Sequence, residues 1–200
     1  MIGSHNTFSY LPAKHWWVTI LKPWYKCQSK DIIEQIDSGI RFFDIRVRFN
    51  KHKNYALEIV HNNIVFNISE REFYNIMNTI YKKVTNLGIK LYFRFILDIR
   101  KKPKNDVEAD LQEAFFESFL TSFKRKYSPI LIIDHSIVFW TWKITYHYTF
   151  IRYTVIEDHA SVMTKWYEYL LGTKHYADKV RYKYVDKKDD DNVYLLDYIQ

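Results

Sequence analysis

The 200 residues are 48% apolar and 18% aromatic, a composition that excludes disorder and is most simply one domain, 1–200, built round one sizeable core. A net charge of +7 and a pI near 9.2 favour an anionic partner, and no Lys/Arg-rich block or RNA-binding signature directs that charge to nucleic acid. One cysteine excludes a disulfide framework, no stretch approaches the roughly 20 apolar residues of a membrane span, and no signal peptide is visible at the N-terminus.

In chain order, Ile2-Gly3 enters a short strand that delivers His5. His15-Trp16-Trp17, with Trp24 and the lysines 14, 22 and 26, reads either as an interfacial rim among lipid headgroups or as packed tryptophans. Cys27 has no partner cysteine, which makes it a buried or half-buried thiol. Asp31 to Ser38 is a short helix stopped by Gly39. From Arg41 to Phe49 residue type alternates: Phe43, Ile45, Val47 and Phe49 share one face of a strand, and Asp44, Arg46 and Arg48 the other. The next strand ends at His61.

Ser69 to Glu72 forms a capping box, followed by Phe73, Ile76, Ile80, Val84 and Leu87 at helical spacing before Gly88. Leu91 to Arg100 repeats the two-faced strand, with Arg94, Asp98 and Arg100 opposite the apolar side. Asn105 caps a helix whose stripe runs Val107, Leu111, Phe115, Phe119 and Phe123, with Lys124, Arg125 and Lys126 near its end. Ile130 to Ile133 and Ile137 to Ile156 read as strands, Glu157 to Leu171 as a helix stopped by Gly172, and Val193 to Ile199 as a last strand. The acidic stretch Asp186 to Asp191 lacks the spacing of a cation loop and reads as a solvated turn. Strands alternating with helices imply an α/β fold, and paired strands with one apolar and one charged face imply a barrel whose helices cover the outside. A complete eight-unit barrel takes about 250 residues, so a TIM-type barrel shortened or distorted in its C-terminal half is expected.

Cleaving a phosphodiester without metal needs a base, an acid and a cation on the phosphate. His5, His61 and Arg46 supply these three types from three different strand ends. The runs Gly3-Ser-His-Asn-Thr7 and Asp31-Ile-Ile-Glu-Gln-Ile-Asp-Ser-Gly-Ile-Arg-Phe-Phe-Asp-Ile-Arg46, and the histidine ending the following strand, resemble the phosphatidylinositol-specific phospholipase C family. The resemblance is specific over the first hundred residues.

It implies that His5 is the base that activates the inositol 2-hydroxyl, that His61 protonates the departing diacylglycerol oxygen, and that Arg46 stabilises the pentacoordinate phosphate. Arg46 resembles the metal-independent bacterial branch, so no metal or cofactor is expected. Asp197 resembles the late aspartate that orients the first histidine, and Arg100 a basic residue that holds inositol hydroxyls or phosphate. Asn6 and Asp44 complete the substrate-binding candidates. Asn6 stands where the bacterial branch has an aspartate supporting the second histidine, and Asn62 stands where a glycine follows it. Asp44 shares a face with Arg46, most simply as a salt bridge fixing the arginine. The implied partners are a phospholipid headgroup and a membrane surface. The rival readings are a glycerophosphodiester hydrolase of the same superfamily and a weakly catalytic lipid- or phosphate-binding module.

Overall fold

The computed structural model describes residues 2–21, 26–61, 63–99, 106–128, 130–139, 146–148, 154–156 and 192–196. Nine strands fall in these stretches: β1 (Ile2–Ser4), β2 (Phe42–Asn50), β3 (Ala56–His61), β4 (Ile64–Val65), β5 (Leu91–Ile99), β6 (Leu131–Phe139), β7 (Tyr146–Tyr148), β8 (Thr154–Ile156) and β9 (Asn192–Leu196). Three α-helices accompany them: α1 (Ile32–Asp37), α2 (Glu70–Leu87) and α3 (Asp106–Tyr127). The fold is mixed α/β. One sheet runs in the order β7-β6-β5-β2-β1-β9-β8, with β3 branching from β2 and β4 from β3. From β6 to β8 along that path every pairing is parallel, while β7, β3 and β4 pair antiparallel.

The helices begin where side chains satisfy their unpaired amides. Asp31 caps α1, and Glu34 returns the bond to Asp31 N–H. Ser69 and Glu72 make the same reciprocal pair at α2, which ends at Gly88 with φ +63°, a left-handed conformation natural to glycine. Phe73, Met77, Ile80 and Val84 of α2 are fully buried, each worth about 1.5–3 kcal/mol against exposure. Leu87, expected in this stripe, is exposed, and Met77 is fully buried where Ile76 beside it, the expected residue, is only half-buried.

On α3 the buried face is Gln112, Phe116, Phe119, Leu120, Phe123 and Tyr127, which keeps Phe119 and Phe123 of the expected stripe but leaves its Leu111 and Phe115 exposed. Gln112 Nε2 donates to the Phe49 carbonyl at 2.9 Å, which lets a polar residue sit on the buried face. Asn105 and the Val107 side chain lie outside the described residues, as do the expected helix 157–171 and the acidic turn 186–191. The last strand is Asn192–Leu196, and the strand begun at Ile130 continues unbroken to Phe139.

Phe43, Ile45, Val47 and Phe49 of β2 and Phe93, Phe95, Leu97 and Ile99 of β5 form one core with the two long helices. Phe95 meets Phe119 and Phe123 edge-to-face, with centroids 5.1 and 4.9 Å apart. The opposite sheet face carries the charges. There Asp44 lies level with Arg94, and Arg46 with Ile96.

Candidate active site

His5 follows the last residue of β1, and His61 is the last residue of β3. Arg46 sits in the middle of β2 on its charged face, and not at the strand end that the sequence suggested. The structure brings all three together. The two imidazole centroids are 6.2 Å apart at 80°, and Arg46 Nη2 is 3.4 Å from His5 Nε2. Both rings are more than nine-tenths buried, at 5% exposure for His5 and 7% for His61.

The turn after His5 explains part of this geometry. Asn6 adopts φ 45°, ψ 56°, a left-handed conformation that asparagine tolerates better than most residues. The turn carries the Asn6 amide back over the His5 ring, with Nδ2 2.9 Å from Nε2 and 3.3 Å from Nδ1. Asn6 Nδ2 and Arg46 Nη2 are both donors, and they converge on His5 Nε2. An Nε2 lone pair would accept from either donor. Asn6 therefore serves His5, where the sequence suggested service to His61. Its Oδ1 is buried without a hydrogen-bond partner among the described residues.

Asp44 has no exposed surface. Its Oδ1 accepts from Arg94 Nε at 3.0 Å and Nη2 at 2.9 Å, and its Oδ2 from the Asn6 backbone N–H at 3.4 Å. With both oxygens engaged below the site, Asp44 props the His5 turn instead of meeting substrate. Arg94 carries no signal in the sequence beyond its place on a charged face, and becomes visible once β5 pairs in register with β2. Further along β2, burial lowers the proton affinity of Arg48, opposed by the charges of Asp98 and Glu58.

The segment 26–28 closes the back of the site. Ser9 Oγ accepts the backbone N–H groups of Cys27 and Gln28, both at 2.9 Å, and Gln28 Nε2 donates to the His5 carbonyl at 3.0 Å. This latch holds Cys27, 1% exposed, with Sγ 3.6 Å from Asn6 Nδ2 and 4.0 Å from His61 Nδ1. No periodicity marks Cys27 in the sequence, because it lies in an irregular segment. Arg100 follows β5 and lies outside the described residues. So does Asp197, although Leu196 before it is paired with Ser4, the residue before His5. Among the described residues no three His, Cys, Asp or Glu side chains gather as a metal-holding group.

The connection that carries His5, Asn6 and Cys27 also carries a 3-10 turn, Trp16–Leu21. Trp16 is 83% exposed, Ile20 77% and Trp17 57%, which removes the packed reading for Trp16 and Trp17, while Lys22 and Trp24 lie outside the described residues. No described helix is long and apolar enough to cross a membrane.

Two solved structures share this arrangement of chain. The phosphatidylinositol-specific phospholipase C of Listeria monocytogenes superposes with a TM-score of 0.62 at 17% identity, over 100% of this chain and 88% of that one. The fold is like theirs. The S. aureus phosphatidylinositol-specific phospholipase C, solved in work on its membrane binding, gives a TM-score of 0.59 at 14% identity, over 99% and 85%. No protein-family model and no curated protein sequence matches the chain.

Proposed function

We propose that the chain is a metal-independent phospholipase C-like phosphodiesterase that cleaves phosphatidylinositol or a related phospholipid, on a sheet that continues into a shortened barrel. The observation that carries this reading is the pair of buried imidazoles 6.2 Å apart, with the Arg46 guanidinium beside the first. His5 Nε2 takes the proton of the inositol 2-hydroxyl, whose oxygen attacks phosphorus within the same molecule at high effective molarity. The bond to the diacylglycerol oxygen breaks as His61 delivers a proton to it, leaving a cyclic inositol phosphate. Arg46 holds the phosphoryl oxygens as charge builds on them. In this reading Asp197 orients His5, and Arg100 holds the headgroup. The exposed Trp16, Trp17 and Ile20 meet the membrane.

One observation favours the rival binding module. The Asn6 amide sits 2.9 Å from His5 Nε2 and must yield before that nitrogen accepts a proton. The test is cleavage of phosphatidylinositol vesicles with and without chelator, in the wild type and in His5→Ala and His61→Ala. Turnover should survive chelator and fall by about 10²–10⁴-fold in either variant. Chelator-sensitive turnover would remove metal independence. Vesicle binding without turnover by the wild type would favour the module.

A further inference from the structure

The Asn6 amide meets His5 and Cys27, which makes the surroundings of the proposed acid a separate question. His61 Nδ1 lies 4.0 Å from Cys27 Sγ, within reach of a sulfur acceptor. The same sulfur lies 3.6 Å from a second donor, Asn6 Nδ2. The Asn6 amide N–H and the His61 Nδ1 thus both face one buried sulfur, and the unpaired Oδ1 of Asn6 belongs to the same cluster. The sulfur does not arrive there by chance packing of a mobile loop. Ser9 holds the backbone at Cys27 and Gln28, and Gln28 holds the chain at His5.

We infer that Cys27 is the positioning residue of His61, its sulfur accepting the Nδ1–H so that Nε2 is the nitrogen that exchanges its proton with the leaving group. The inference rests on the phosphodiesterase reading for its kinetic consequence, but not for the contact itself. In the resting cycle His61 is an imidazolium with protons on both nitrogens. When Nε2 gives its proton to the departing oxygen, the remaining Nδ1–H stays on sulfur and the neutral ring is left in a single tautomer. Without the sulfur, Nδ1 loses this acceptor in the neutral ring and in the imidazolium alike. Among the described residues, the titratable and charged groups round this pair include the His5 imidazole, Arg46 beside it, the Asp44–Arg94 ion pair beneath Asn6, and Lys26 next to Cys27 in the chain. They are present equally in wild type and in a Cys27 variant.

The deciding experiment is an NMR titration of ¹⁵N-histidine-labelled protein, comparing wild type, Cys27→Ala and Cys27→Ser, with the His61 signals assigned by their loss in His61→Gln. Wild-type His61 should carry its neutral-state proton on Nδ1. Cys27→Ala should mix the tautomers and weaken proton binding at His61 about threefold, the size of one modest hydrogen bond. Cys27→Ser, which restores an acceptor, should recover the wild-type tautomer. Unchanged His5 signals report that the fold is intact. Identical His61 tautomers and midpoints in wild type and Cys27→Ala overturn the inference. The kinetic arm uses the lipid and a nitrophenyl inositol phosphate, whose leaving group needs no proton. Cys27→Ala should slow the lipid about tenfold, move the alkaline limb of its pH–rate profile to lower pH, and leave the nitrophenyl ester nearly untouched. An equal loss on both substrates also overturns it. If the wild type turns over neither substrate, the phosphodiesterase reading fails, and the titration still decides the role of Cys27.

Discussion

A carboxylate with no exposed surface is tolerable at Asp44 because Arg94 places two N–H groups on one oxygen and the Asn6 backbone supplies a third for the other. Removing the cation leaves a buried charge uncompensated. Arg94→Met should therefore destabilise the protein by about 3–5 kcal/mol, read as a lowered urea midpoint, whereas replacing both Asp44 and Arg94 by apolar residues should cost much less. A single variant as stable as wild type would mean that water reaches Asp44. At this scale the sequence was legible where chemistry coincides with pattern. His5, Arg46 and His61 each end or punctuate an apolar run, and the structure brings them together. Arg94 and Cys27 were not legible. The partnership of Arg94 depends on the register between two strands, and the position of Cys27 depends on a hydroxyl, Ser9, that gathers two backbone amides across an irregular segment.

Helix ends carry their own signatures, and those were readable. The box at Ser69 and Glu72 is present as the sequence implied, and the Ser69 hydroxyl and backbone N–H together hold the Glu72 carboxyl below its ordinary range. A depressed carboxylate stabilises the fold above its unfolded-state range and loses that contribution as the pH falls through the folded value. Ser69→Ala should cost about 1 kcal/mol at neutral pH. The difference between variant and wild type should shrink in urea titrations below the carboxylate range, and an undiminished difference there would show that the hydroxyl acts without Glu72. The face of α3 was harder to read. Phe115-Phe116 and Phe119-Leu120 offer apolar residues to two adjacent faces, so periodicity alone does not choose between them. The choice falls to Gln112, polar in sequence yet buried by its bond to the Phe49 carbonyl. Phe115 is left on the rim, stacked on Tyr55 with centroids 4.3 Å apart.

At the scale of the whole molecule, a net charge of +7 and a turn exposing Trp16, Trp17 and Ile20 would serve the same kind of surface if the proposed membrane reading holds. Indole rings settle at the boundary between headgroup and acyl chain, and basic charge draws the protein to anionic lipid. Trp16→Ala with Trp17→Ala should weaken binding to anionic vesicles on the order of tenfold, or about 1.4 kcal/mol, in a sedimentation assay. The loss should persist in high salt, where the contribution of charge fades. Unaltered partitioning would assign these rings another role. The α/β class and the two-faced strands were legible in alternation. The order of strands was not, since it depends on pairings between segments far apart in the chain.

One of those pairings has a consequence for the order in which the protein is built and lost. β1 is three residues long and is held on one side by β2 and on the other by β9, from the far end of the described chain. Joining segments so distant closes a long loop before any contact rewards it. The strand that delivers His5 therefore emerges before the other described strands but waits longest for its second neighbour. The aromatic centre made by β2, β5 and the two long helices draws on nearer segments and does not wait. The seam between β1 and β9 is thus the natural place for the molecule to open, and an opening there loosens His5 while the centre holds. Under the proposed function, activity lost along this route would go before the fold does.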